Sequence, residues 1–287
     1  MTGSSTPASS LHSGWWREAP ATARATVYVA EANGASDAIV LRYGARNSTN
    51  KPPKCSMTGE KLDHSQIAAD AAGNLYIPNI ETAAIDVYAP NCGDRIASIH
   101  DPYGADLDVA LRNGTIYGAG GTHVAVCTIS GCTAELTDPS IVQLETVAVD
   151  AKGNVWATYY SQNSIDLIVW PGGAMPGKVV SGYVNQSTPG DLEFDQRGNL
   201  ISLQSLFTHV YLYHCDAATA SCTNTRVVNL RGGSLFGALN AKNTDYQVTG
   251  YESDEVDVYA YPSFKYEYSY NNGLRGDYSV QGIVQAR

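Results

Sequence analysis

Three carboxylates and one histidine stand where they could act together: Asp106, Glu145, Asp191 and His64. Glu145 lies five residues before Asp150, and Asp191 lies four before Asp195. Asp106 holds the corresponding place in a looser copy of the same pattern, and His64 stands just ahead of Ser65, five before Asp70. If these patterns are structural repeats, the three acids come from three consecutive units at one height. Hard oxygen ligands converging from separate strands are what calcium takes. A carboxylate beside a histidine can do general acid–base work. The plain alternative is three solvated carboxylates in a wet channel. Plugging of the same mouth by Leu235 and Phe236 would leave no room for chemistry.

The elements that must position these residues are visible as a repeat. "IAADAAGNLYIPNIETAAIDVYAPNCG" at 67–93 returns as "VAVDAKGNVWATYYSQNSIDLIVWPGG" at 147–173. Each copy is an apolar strand, an Asp-x-x-Gly-Asn turn and a second apolar strand. The turn glycine is Gly73, Gly153 and Gly198; Gly114 and Asn243 hold its place in two weaker copies, at intervals of 39 to 45 residues. Gly, or Asn after it, accepts the positive φ of such turns. The acids Asp70, Asp150 and Asp195 bond their own backbone at turn entry. A third strand follows in every copy, as in Ile165, Leu167 and Val169, with the period of two of a strand. Weaker fourth strands follow at 95–99, 178–180, 226–230 and 265–270. A unit of about 40 residues with four strands is one propeller blade.

The two ends complete the count. Residues 25–43 supply a second and third strand with no first strand ahead of them. Residues 277–287 supply a first strand with nothing after it. The C-terminus therefore provides the inner strand of the blade that the N-terminus begins, and closure removes unpaired sheet edges. The expectation is an all-β, six-bladed β-propeller of four-stranded blades forming one domain over 25–287, preceded by a flexible Ser/Thr-rich segment at 1–24. An open sandwich is the alternative, though it needs no 40-residue period.

Of 287 residues, six are cysteine. Cys127 and Cys132 flank one hairpin tip, and Cys215 and Cys222 another, so cross-hairpin disulfides are easy there. Cys55 and Cys92 each follow a third strand in neighbouring blades and can pair across the seam. Metal binding is the rival, but no spacing matches a zinc knuckle. Paired cysteines point to an oxidising compartment, periplasmic or secreted. The net charge is −10 and Lys and Arg form no cluster along the chain, so nucleic acid is not an expected partner. No stretch is long and apolar enough to span a membrane. Tyr outnumbers Phe 19 to 4, which fits strands with one wet face.

The motif "IAADAAGNLYIPN…IDVYAP" resembles the NHL repeat and its relatives in the gluconolactonase and senescence-marker superfamily of six-bladed propellers, over nearly the whole chain after Ala25. The resemblance implies the fold. That superfamily includes lactonases, arylesterases, peptide-amidating lyases, strictosidine synthase-like proteins and pure binding modules. Several of its hydrolases hold calcium in the central channel, but no local motif carries their ligands onto this sequence. The expected function is a monomeric binding or scaffold module that holds a protein, peptide or glycan at one face. The alternative is a calcium-dependent lactonase or esterase, with Asp106, Glu145 and Asp191 around the metal and His64 as the base.

Overall fold

The computed structural model describes residues 26–32, 37–44, 46–62, 65–104, 107–162, 164–184, 189–204, 208–250, 254–275 and 279–286. These form six antiparallel sheets of four strands each. The segment expected at 1–24 lies outside the described residues. Blade one is built from both ends of the chain. Its inner strand, Ser279–Ala286, pairs with Thr26–Ala32, bringing Gly282 opposite Ala30 and Gln285 opposite Val27. Blades two to six each run from inner to outer strand in chain order.

The turns form for the reasons their sequence gives. Asp70 Oδ1 accepts the N–H groups of Ala72 and Asn74, both at 2.9 Å, and Oδ2 accepts Asn74 Nδ2 at 2.7 Å and the Tyr76 hydroxyl at 3.2 Å. Asp150 repeats the arrangement with Trp156 in place of tyrosine. Asp195 repeats it with Tyr261, borrowed from the next blade. Gly73 and Gly153 sit at φ of 86° and 85°, where a side chain would be strained.

The core is not central. Six apolar clusters fill the six seams between neighbouring blades. Val27 and Val29 face the seam with blade six, while Tyr28 and Ala30 face the seam with blade two. A middle strand is therefore buried on both faces, and Thr26–Ala32 is buried throughout. This corrects the expectation of one wet face. The outer strands are the more exposed ones, as Cys55–Lys61 and Arg95–His100 show.

Five of the six seams also carry a polar stitch from a third strand. The Tyr43 hydroxyl donates to Asn272 O at 3.1 Å, Trp170 Nε1 to Thr137 O at 3.4 Å, and the Tyr213 hydroxyl to Val184 O at 2.8 Å. The Tyr259 hydroxyl accepts the N–H of Arg231 at 3.0 Å, and the Tyr88 hydroxyl donates to Glu60. In each case an aromatic body fills the seam and its polar tip ties down the outer part of the preceding blade. Blade three has Cys127 at this place, bonded to Cys132.

All three expected disulfides are present: Cys55–Cys92, Cys127–Cys132 and Cys215–Cys222. The first joins blade one to blade two. The others close single hairpins, over sequence separations of 5 and 7 residues.

Candidate functional site

The inner strands contact one another in sequence around the axis. His64 and Asp106 lie outside the described residues. Glu145 is on the inner strand of blade four, Gln143–Val149, at a break in its pairing; its Oε1 accepts Gln143 Nε2 at 2.8 Å. Asp191 is on the inner strand of blade five, Pro189–Phe194, and is buried; its Oδ1 accepts Gln66 Nε2 at 3.3 Å. The two acids thus turn to different partners. Among the described residues, no three His, Cys, Asp or Glu side chains are grouped to hold a metal. Phe236 packs into the seam between blades six and one and does not plug the mouth.

Other groups meet at the axis instead. Gln66, just ahead of the inner strand of blade two, reaches three other blades. Its Oε1 accepts the N–H of Ile283 at 2.8 Å, and its Nε2 also donates to Gly237 O at 2.8 Å. Asp108 Oδ2 accepts the N–H of Val147, on the next inner strand, at 2.7 Å. Glu193 accepts the N–H of Leu239 at 2.9 Å and 3.2 Å through its two oxygens. So two carboxyl groups bridge neighbouring inner strands, blade three to four and blade five to six.

Enclosure without a counter-charge sets their protonation. Burial pushes the Asp108 carboxyl up to about 7, against the pull of the Val147 N–H. Burial likewise raises Glu193 to about 8; its strand is partly exposed but its carboxyl is enclosed. Asp191 is raised well above the usual range by burial, then by Glu193 and Asp108. Beside them the Tyr246 hydroxyl is held neutral by burial and by Asp191 and Glu193. Backbone packing here is tight: a Cβ on Gly237 would lie 2.1 Å from the Tyr246 oxygen.

Sequence reasoning missed this set although a signal for it existed. Asp108 and Glu193 lie two residues beyond Asp106 and Asp191, so the strand period puts them on the same face one step along. It also missed His123, whose Nε2 lies 2.9 Å from Asp101 Oδ2 with both side chains buried. The ring of Tyr103 covers that pair at 5.2 Å, and Asp101 Oδ1 accepts the Tyr103 N–H at 2.9 Å. The pair pins the entry to blade three.

A second candidate lies on the face that carries the Asp-x-x-Gly-Asn turns. A groove of about 520 Å³ opens there between blades four and five. Lys152, from the turn of blade four, and Arg197, from the turn of blade five, both line it and are exposed. His214 stands exposed on its wall, and Pro171, Phe194, Ala217, Ala218 and Cys215 supply apolar surface. Lys and Arg form no run in the sequence, but the blade period gathers them here. Lys152, Arg197 and Lys242 occupy the same position of successive turns, and Arg112 in blade three donates to the carbonyl of Ala151.

No protein-family model matches the chain, and neither does any curated protein. Solved structures do. A chain of a nidogen/laminin complex aligns with a TM-score of 0.68 at 14% identity, over 92% of this chain and 98% of that one. A protein of unknown function from Bacteroides caccae aligns with a TM-score of 0.68 at 12% identity, over 92% and 99%. A luciferin-regenerating enzyme aligns with a TM-score of 0.56 at 12% identity, over 72% and 75%. Identities this low establish architecture and not activity. The chain is a six-bladed β-propeller, closed by its own C-terminal strand.

Proposed function

We propose that this propeller is an extracytoplasmic binding module that holds a protein, peptide or glycan on its turn-bearing face. The observation that carries the reading is the groove between blades four and five, with exposed Lys152, Arg197 and His214 on its walls. Concave sites of a few hundred Å³ with a few convergent polar groups are the usual form of a ligand site. The channel supports the reading from the other side. Asp108 and Glu193 are occupied as acceptors for neighbouring strands, and Gln66 turns a donor toward Asp191. Among the described residues this set fits a metal poorly, since a cation needs several free oxygens facing one point and only Asp191 Oδ2 of these carboxylates is buried without a partner. Three disulfides favour an oxidising compartment. A ring closed within one chain needs no second copy, so we take it as a monomer.

Peptide and oligosaccharide arrays test the proposal. The reading expects a ligand whose binding falls in Arg197→Ala and survives Asp108→Asn. Lactone or ester hydrolysis that requires calcium and disappears in Asp191→Asn would overturn it in favour of the hydrolase.

A further inference from the structure

We infer that the groove between blades four and five takes an acidic peptide segment of a partner protein, carrying at least one apolar side chain among its carboxylates. The inference rests on the binding-module reading and specifies its ligand. Its first support is how the charges on this face are engaged. The acids that line the groove have their oxygens turned to the protein's own N–H groups. Asp150 accepts the N–H of Lys152 and Asn154, Asn154 Nδ2 and Trp156 Nε1. Asp216 Oδ1 accepts the N–H of Ala218 at 2.8 Å, which holds its carboxyl below the usual range.

The cations are engaged differently. Arg112 donates to a carbonyl of Ala151, which carries no net charge, and Lys178 Nζ donates to Ala218 O at 3.1 Å. Among the described residues, Arg112, Lys152, Arg197 and Lys242 form no ion pair with a carboxylate. A chain of net charge −10 thus keeps an arc of cations without a direct ion pair across four consecutive blades, on one face, with Lys152 acting on the Asp216 carboxylate only at longer range. Such an arc favours an anion that approaches from solvent.

The second support is the floor. Phe194, partly buried against Trp156 at a ring distance of 5.7 Å, lies beside Pro171, Ala217 and the Cys215–Cys222 disulfide. An apolar floor under cationic walls suits carboxylates alternating with an apolar side chain. A sulfated sugar or a nucleic-acid strand brings no such side chain, and the overall negative charge repels long polyanions.

The test uses a fluorescein-labelled peptide, Asp-Glu-Phe-Asp-Glu-Leu, and a control with Asn and Gln in place of its acids. Fluorescence anisotropy is measured at ionic strengths of about 0.02 M and about 0.15 M. Binding of the acidic peptide is expected, weakening with salt and falling at least ~10-fold in the double variant Lys152→Glu/Arg197→Glu. Lys51→Glu, in blade one across the ring from the groove, is expected to bind as the wild type does. The milder Lys152→Gln/Arg197→Gln pair guards against misfolding and should lose affinity in the same direction. Equal binding of the neutral control, or binding that survives both double variants, overturns the acidic assignment and leaves the module reading standing. Displacement of the peptide by heparin or single-stranded DNA with higher affinity overturns the peptide assignment. No binding of the acidic peptide at either ionic strength also overturns the inference. Failure of the arrays as well would remove the module reading with it.

Discussion

At the residue scale, the inner strands are tied together by acids that burial makes harder to ionise. Asp108 and Glu193, raised to about 7 and about 8, keep protons that the unfolded chain releases near pH 4. The folded state therefore binds more protons between these limits. Their contribution is complete below about pH 4 and is lost as pH rises through 7 to 8, by at most about 1.4 kcal/mol per pH unit for each group. The urea midpoint should be higher at pH 5.5 than at pH 8.5, and Asp108→Asn or Glu193→Gln should flatten that slope. A midpoint that rises with pH would show these acids to be ionised and paired. A second expectation concerns Gly237, where a methyl group would meet the Tyr246 oxygen and ring at 2.1 and 2.5 Å. Gly237→Ala should cost about 1–3 kcal/mol in denaturant unfolding; an unchanged midpoint would mean that Tyr246 moves aside freely.

At the element scale, the repeat was legible because its signals are local. An aspartate that bonds residues two and four ahead, and a glycine at positive φ, mark the turns of blades two, four and five whatever surrounds them. The cysteine pairs were equally readable, because hairpin register fixes Cys127 opposite Cys132 and Cys215 opposite Cys222. The seam stitches were not readable. The aromatics Tyr43, Tyr88, Trp170, Tyr213 and Tyr259 recur along the chain, but their partners lie on the preceding blade. Their identity depends on how far each blade twists. The same holds for Asp108 and Glu193, whose partners are backbone groups of another strand. Seam location also ranks the disulfides. Cys55–Cys92 spans 37 residues and two blades, so its removal should cost about 2 kcal/mol more than that of Cys127–Cys132. Thermal unfolding of Cys55→Ser/Cys92→Ser against Cys127→Ser/Cys132→Ser measures the difference. Equal losses would show that the closed-loop length does not govern here.

At the scale of the whole molecule, blade periodicity does two things that a linear reading separates poorly. It gathers acids at the axis, where they hold strands together, and basic turn residues on one face, where they stay open to solvent. Counting inward positions along the sequence points to Asp106, Glu145, Asp191 and His64. Of the two described members, Asp191 joins a network across blades and Glu145 turns to its own strand neighbour. Lys152, Arg197 and Lys242 form no visible cluster along the chain because 45 residues separate each from the next. All of this depends on the ring. Gly282–Gln285 lie against Val27–Ala30, and that pairing alone joins the two ends of the chain into one blade. Removing residues 279–287 strips blade one of its inner strand and leaves the edge of Thr26–Ala32 unpaired. Analytical ultracentrifugation of the truncated chain should find aggregates, or a monomer that unfolds well below the full chain. A soluble monomer with an unchanged unfolding temperature would contradict the closed ring.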